Sequence, residues 1–171
     1  MKAKLIIDNR EIEVEISEEQ LSKLEVKTAR HTGYERVRKG DQYYVARESN
    51  IICAETECND SCDNGRYDAA NYYSSLAVAE NNLRADILMR RLRRFAIEHR
   101  KEKLDWRNDN QEKYFICWEH DYRQLSPEYS YEIQDVGIVY FDSEKTAEMA
   151  IEKFRDELTW YFTEYKDCAG E

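Results

Sequence analysis

Three cysteines, Cys53, Cys58 and Cys62, are the residues whose types and spacing most readily suggest chemistry. They follow the pattern Cys-x4-Cys-x3-Cys, and three thiolates so close in sequence can hold zinc, with His31 and Asp60 or Asp63 as a fourth ligand. The close Cys-x-x-Cys knuckle is missing, and no second cysteine pair follows. The expectation is therefore free thiols and no cofactor, with structural zinc at Cys53, Cys58 and Cys62 as the alternative. Cys117 alternates within an apolar run and reads as a small core residue. The three histidines, His31, His99 and His120, sit in no recognisable context with Ser, Cys or Asp. Neither G-x-G-x-x-G nor G-K-[ST] occurs, so no phosphate-cradling loop is signalled. These absences make a binding protein the expectation rather than an enzyme.

Charge is the stronger signal. The chain carries net charge −10, spread unevenly. Residues 71–104 hold 8 Lys and Arg against 4 Asp and Glu, whereas residues 105–171 hold 7 against 17. The plain reading is that these opposite charges pair within the fold. The sharper reading is an acidic surface, Glu144, Glu148, Glu152, Asp156 and Glu157, that meets a basic partner such as a nucleic-acid-binding groove. A third reading puts nucleic acid on the arginines themselves, with Arg90, Arg91, Arg93 and Arg94 on phosphates and Tyr72 and Tyr73 stacking on bases. The acidic balance of the whole chain argues against that third reading.

The elements that must position these groups follow from periodicity. Asn71 to Lys103 contains no Gly or Pro and repeats Leu76, Leu83, Ile87, Leu88, Leu92, Phe95 and Ala96 near a 3.6-residue period. It predicts one long helix, and its wide apolar stripe makes a homodimer through the helices conceivable. The alternative is that the protein's own strands and C-terminal helix cover Leu83, Ile87 and Phe95. Lys2 to Ile7 and Glu11 to Ile16 predict a hairpin, and Ser17 to Gln20 is a capping-box pattern opening a short helix to about Glu25. A polar connection over Val26 to Thr32 separates this lobe, residues 1–26, from a main domain, residues 33–171.

In the main domain, Tyr34 to Arg38 and Gln42 to Ala46 predict a second hairpin around Lys39-Gly40-Asp41, with Ile51 to Ala54 as a further strand. Residues 55–70 read as a loop. Lys113 to Trp118 predicts a buried strand, His120 to Glu128 a loop with Pro127, and Tyr129 to Gln134 and Val136 to Phe141 two more strands. Ser143 caps a helix from Glu144 to about Asp167, with Ala147, Ile151, Phe154, Leu158, Tyr161, Phe162 and Tyr165 on one side. The fold class is α+β: antiparallel hairpins packed against one long central helix and a C-terminal helix.

No apolar run approaches the length of a membrane span, and the opening MKAKLIIDNR lacks a signal-peptide core. A cytoplasmic location with reduced cysteines is the expectation. The stretches KAKLIIDNREIEVEISEEQLSKLE, TGYERVRKGDQYYV, NYYSSLAVAENNLRADILMRRLRRFA, DWRNDNQEKYFI and VGIVYFDSEKTAEMAIEKFRDELTWYFTEYKD cover most of the chain. On them the chain resembles small, acidic, mostly uncharacterised phage and prophage proteins of Firmicutes. That resemblance implies an accessory gene of a mobile element acting in the host bacterial cytoplasm. Its partner would be a host defence protein, with type II anti-CRISPR proteins as the best-known class. It carries no catalytic residues. Inhibition of Cas9, or of its guide-RNA complex, by a DNA-mimicking acidic surface is the expectation it yields, since such effectors hold nucleic acid in basic channels.

Overall fold

A computed structural model describes residues 2–7, 10–17, 19–20 and 31–165. The chain forms two compact units, Met1–Thr32 and Gly33–Glu171. In the first, β1 (Lys2–Ile7) pairs antiparallel with β2 (Arg10–Glu15), with Leu5 opposite Ile12 and Ala3 opposite Val14. Ser17 and Gln20 close the predicted capping box: the Gln20 N–H donates to Ser17 Oγ at 3.2 Å and the Ser17 N–H to Gln20 Oε1 at 3.0 Å. Asp8 and Asn9 between the two strands, the helix positions Leu21 to Glu25, the connection Val26 to Arg30, and Asp167 lie outside the described residues.

The second unit is α+β, as its sequence patterns predict, but several boundaries differ. The hairpin is formed by β3 (Gln42–Arg47) and β4 (Ile51–Thr56), with Tyr43 opposite Glu55 and Val45 opposite Cys53. Tyr34 to Arg38 is not its partner strand. There the polar groups go to side chains instead of a ladder: the Val37 N–H donates to the Tyr72 hydroxyl at 3.2 Å, and Arg36 reaches Glu57. Gly40 and Asp41 close against Glu57 through backbone bonds of 2.8 and 3.0 Å. Gly40 has φ +95°, a conformation that glycine adopts at little cost.

Residues 55–70 contain a helix that their polar composition hides. Helix α1 (Ser61–Asp68) starts from Asp60, whose side chain accepts from the N–H groups of Cys62 and Asp63, while Asp63 reaches back to Asp60. The Asp60-x-x-Asp63 spacing was its sequence signal, since a carboxylate three residues beyond the cap can close the same box. The long helix α2 spans Leu76–His99, shorter at both ends than Asn71 to Lys103. At its start, Asn71 to Tyr73 run as an extended edge along β3. The Asn71 side-chain amide binds Ala46 N–H and C=O, both at 2.8 Å, and Tyr73 exchanges backbone bonds with Tyr44. At its end, the Asp142 carboxylate accepts from the N–H groups of Lys101 and Glu102, which draws the chain off the helix axis.

Strand β5 (Lys113–Glu119) pairs with β6 (Gln124–Ser130) across a tight turn. This replaces the predicted loop over His120 to Glu128 and the strand over Tyr129 to Gln134. Pro127 sits inside β6, opposite Ile116, and is tolerated because β6 has a single partner strand. Val136 to Phe141 is not a strand; only Phe141 bonds to Tyr114, as an isolated bridge. Lys113 is fully buried, and its ammonium donates to the carbonyls of Asn108 and Tyr131 at 2.7 and 2.8 Å, tying both flanking loops to β5.

Helix α3 (Glu144–Trp160) begins at Ser143, whose hydroxyl accepts from the Thr146 N–H, and passes into a single π-type turn, Tyr161–Tyr165. The main core joins Leu88, Leu92, Phe95 and Ala96 of α2 to Ala147, Ala150, Phe154 and Leu158 of α3, with Phe141 between. Leu83 and Ile87 are half-buried and Leu76 is exposed, so the chain's own elements cover most of the α2 stripe. No described helix is long and apolar enough to cross a membrane. Phe154→Ala removes the ring at the centre of the α2–α3 contact, and a chemical-denaturation midpoint should report a loss of about 3–5 kcal/mol.

Candidate partner-binding surface

One cluster of titratable groups takes in two residues that the sequence singled out for other roles, Asp63 and Tyr72, and gathers them around Glu57, which it did not. It is buried between β3–β4 and α1. Glu57 is 1% exposed and Asp63 3% exposed. Glu57 accepts two bonds from the Arg36 guanidinium at 3.0 and 3.1 Å, one from the Tyr72 hydroxyl at 2.7 Å, and one from the Asn59 N–H at 2.7 Å. Asp63 accepts from the Tyr43 hydroxyl and from the Cys58 N–H. Tyr43 in turn accepts from Arg66. The Tyr43 and Tyr72 rings stack at 3.9 Å, so two carboxylate–tyrosine–arginine sets lie side by side.

The electrostatics fix every proton in this cluster. The Tyr43 hydroxyl and two backbone N–H groups hold the Asp63 carboxyl down at about 2. Arg36 holds Glu57 below the usual carboxylate range. Burial, and the carboxylate it faces, push the Tyr43 phenol up to about 12, and Tyr72 rises for the same reasons. A general acid or base needs a proton affinity near the working pH. Here each group is driven away from that range, and no buried side-chain nitrogen or oxygen among the described residues lacks a partner. The cluster therefore cross-links α1 to the hairpin, a use of buried charge that requires every lone pair to be met.

The predicted surface residues separate into two groups. Glu144, Glu148, Glu152 and Asp156 are exposed on α3 at four-residue spacing, so they share one side of the helix. Arg155 pairs with Glu152 at 2.8 Å. Glu157 stands apart from this row. It is half-buried and binds Arg91 at 2.6 Å, and Arg91 also lies over the Phe154 ring at 4.9 Å.

The arginines are likewise divided. Arg91 belongs to the α2–α3 contact, and Arg90 donates to Asn50 at 3.2 Å. Arg94 lies 3.8 Å from Glu98, and Arg93 is exposed. Tyr72 and Tyr73 are buried, so they offer no faces for bases. Of the thiols, Cys53 packs on the Tyr43–Tyr72 cluster, while Cys58 and Cys62 are exposed. Among the described residues no three His, Cys, Asp or Glu side chains gather as a metal ion would need.

An apolar cavity of about 230 Å³ opens beside the main core, lined by Met89, Phe115, Cys117, Ile138 and Phe162 among others. Its lining includes Cys117, whose thiol is pushed up by burial, away from the reactive thiolate. Comparison with protein-family models, with curated proteins and with solved structures finds no match to this chain.

Tyr72→Phe leaves Glu57 one bond short and should lower stability by about 1–3 kcal/mol in chemical denaturation. Because the folded-state values of Asp63 and Glu57 are depressed, their contribution is present above the ordinary carboxylate value and is lost as pH falls through the folded ones. Thermal melts should therefore fall steeply between about pH 4 and pH 2. Asp63→Asn should flatten that fall and lower the melting temperature at neutral pH.

Proposed function

We propose that the protein acts by binding rather than by catalysis, and that the carboxylate row on α3 is its contact with a basic, nucleic-acid-handling partner. The resemblance to phage proteins narrows that partner to a host defence protein, with a Cas9-type effector, alone or guide-loaded, as the specific candidate. On this reading the protein is a DNA-mimicking inhibitor encoded by a mobile element.

The observation that carries the proposal is the row itself. Glu144, Glu148, Glu152 and Asp156 project from one side of a helix whose other side, with Ala147, Ala150, Ile151, Phe154 and Leu158, is buried. Four residues of helix advance roughly 6 Å, which spaces Glu144, Glu148 and Glu152; the backbone leaves helical geometry at Phe154, and Asp156 continues the row beyond it. Glu144, Glu148 and Asp156 form no ion pair among the described residues. Exposed, unpaired charge of one sign contributes little to folding, but it steers association with a surface of opposite sign. Cas9-type channels provide such a surface, lined with cations for a nucleic-acid backbone.

The alternative, direct nucleic-acid binding by Arg90, Arg91, Arg93 and Arg94, draws less support. Arg91 closes the α2–α3 contact, the exposed Arg90 is held by Asn50, and the two tyrosines that would stack on bases are buried.

The test uses target-DNA cleavage by a guide-loaded Cas9, read beside target-DNA binding, with wild type and with Glu148→Lys, Glu152→Lys and Asp156→Lys combined. Loss of both cleavage and DNA binding with wild type, restored by the triple reversal, is the predicted result. Lost cleavage with retained DNA binding would contradict channel occupation. Inhibition by the triple variant equal to wild type would remove the α3 row from the contact. No inhibition of any effector tried, together with a salt-sensitive gel shift abolished by Arg90→Glu and Arg93→Glu, would favour the alternative.

A further inference from the structure

A second surface, of opposite character, lies at the C-terminal end of α2. A groove of about 400 Å³ is lined there by Arg93, Ile97, Arg100, Trp106, Ile138 and Tyr140, among others, and no carboxylate lines it. Arg93 and Arg100 are seven residues apart, two helical turns, so both stand on one side, with Ile97 between them. Ile97 is 67% exposed although it sits beside buried Ala96. The chain segment that forms the opposite wall contributes Ile138, 36% exposed. Isolated exposed aliphatics are ordinary, but two that line one groove beside a pair of arginines are not isolated.

The chemistry of the lining selects the occupant. Two guanidinium groups without a carboxylate call for anionic groups, and arginine binds carboxylates through paired N–H donors. The exposed lining between and opposite them includes Ile97 and Ile138 beside the polar Gln134, and the two isoleucines call for apolar side chains. Nucleic acid would supply the anions, but its bases need open aromatic faces. Trp106 is half-buried, in T-shaped contact with Tyr140 at 4.9 Å, and the Lys113 ammonium lies over its ring, 5.3 Å from the centre. Tyr140 itself is buried.

We infer that this groove receives an acidic segment of a partner protein, with aliphatic side chains seated against Ile97 and Ile138 and carboxylates met by Arg93 and Arg100. The groove shares no residue with the α3 row. The protein then carries two independent contacts, one for a basic surface and one for an acidic, aliphatic segment. Two contacts in one chain raise the overall affinity for a partner that presents both, because the second binding event becomes intramolecular.

The test is fluorescence anisotropy at low salt with a short labelled peptide of alternating Glu and Leu blocks that forms an amphipathic helix. The comparison probes are the same peptide with every Leu replaced by Ser, and a labelled oligothymidine. The full chain is compared with Arg93→Glu plus Arg100→Glu, with Ile97→Asp, and with the α3 triple reversal. All of the changed side chains are exposed, and circular dichroism checks that each variant is folded.

The inference predicts saturable binding of the Glu–Leu peptide. It also predicts affinity weakened at least about tenfold by either groove variant, and unchanged by the α3 reversal. The Ser-substituted peptide should bind at least about tenfold more weakly than its parent. Absence of peptide binding would overturn the inference, as would binding that survives both groove variants or equal binding of the Ser peptide. Tighter binding of oligothymidine would assign the groove to nucleic acid instead. Self-association of the free chain, abolished by Ile97→Asp in light scattering, would assign it to a second copy. Because the α3 reversal is read in the same assay, failure here leaves the α3 proposal intact, and the converse holds.

Discussion

Phe95 meets Phe154 edge to face, with ring centres 5.7 Å apart, and most of the second unit is arranged around that contact. Ala96, Ala147 and Ala150 line the same seam and are fully or nearly fully buried, which lets α2 and α3 approach closely. The margin of the seam is closed by cations lying on rings. Arg84 sits 3.7 Å from the centre of Trp160, and Arg91 covers Phe154 while binding Glu157. A close-packed seam permits one rotation of each helix. Once it is set, the outward sides are set too. Arg93 and Arg100 turn toward one groove, and Glu144, Glu148, Glu152 and Asp156 form one row.

The smaller half of the unit is held together differently. Between β3–β4 and α1, stacked tyrosines and two saturated carboxylates replace aliphatic packing. Such a network stabilises only when it is complete, and this one is. Each of its buried polar atoms has a partner, the carboxylates are held below their usual range and the phenols are pushed above theirs. Charge inside the molecule is therefore spent on architecture, and the charge available for function is outside. That division turns the functional reading toward contact surfaces.

How far the sequence was legible depended on what each element spends its hydrogen bonds on. Helix α3, the interior of α2, the strands β1 to β5 and the capping box at Ser17 followed from periodicity and cap chemistry. The misread segments are those whose backbone is met by side chains or by distant backbone. Asn71 to Tyr73 look helical by composition but pair with β3 through the Asn71 amide and Tyr44. Helix α1 has no apolar period and was signalled only by its aspartate cap. Strand β6 was hidden by Pro127, which an unpaired edge accepts. The Glu57–Asp63 cluster was not legible at all. Its members are scattered from Arg36 to Tyr72, and nothing in their spacing announces that folding brings them together. The exposed carboxylate row was legible, because four-residue spacing on an amphipathic helix fixes its direction; Glu157 and Arg91 were placed on the surface when they close the core seam.

We propose that the exposed carboxylate row on α3, Glu144, Glu148, Glu152 and Asp156, makes the contact with a basic partner. Its most direct test is the salt dependence of the affinity between this protein and a guide-loaded Cas9-type effector, measured by biolayer interferometry. Affinity should fall by about tenfold or more as salt rises through the physiological range, and reversing Glu148, Glu152 and Asp156 should remove both the affinity and its salt dependence. Tight binding that ignores salt and survives the reversal would contradict it.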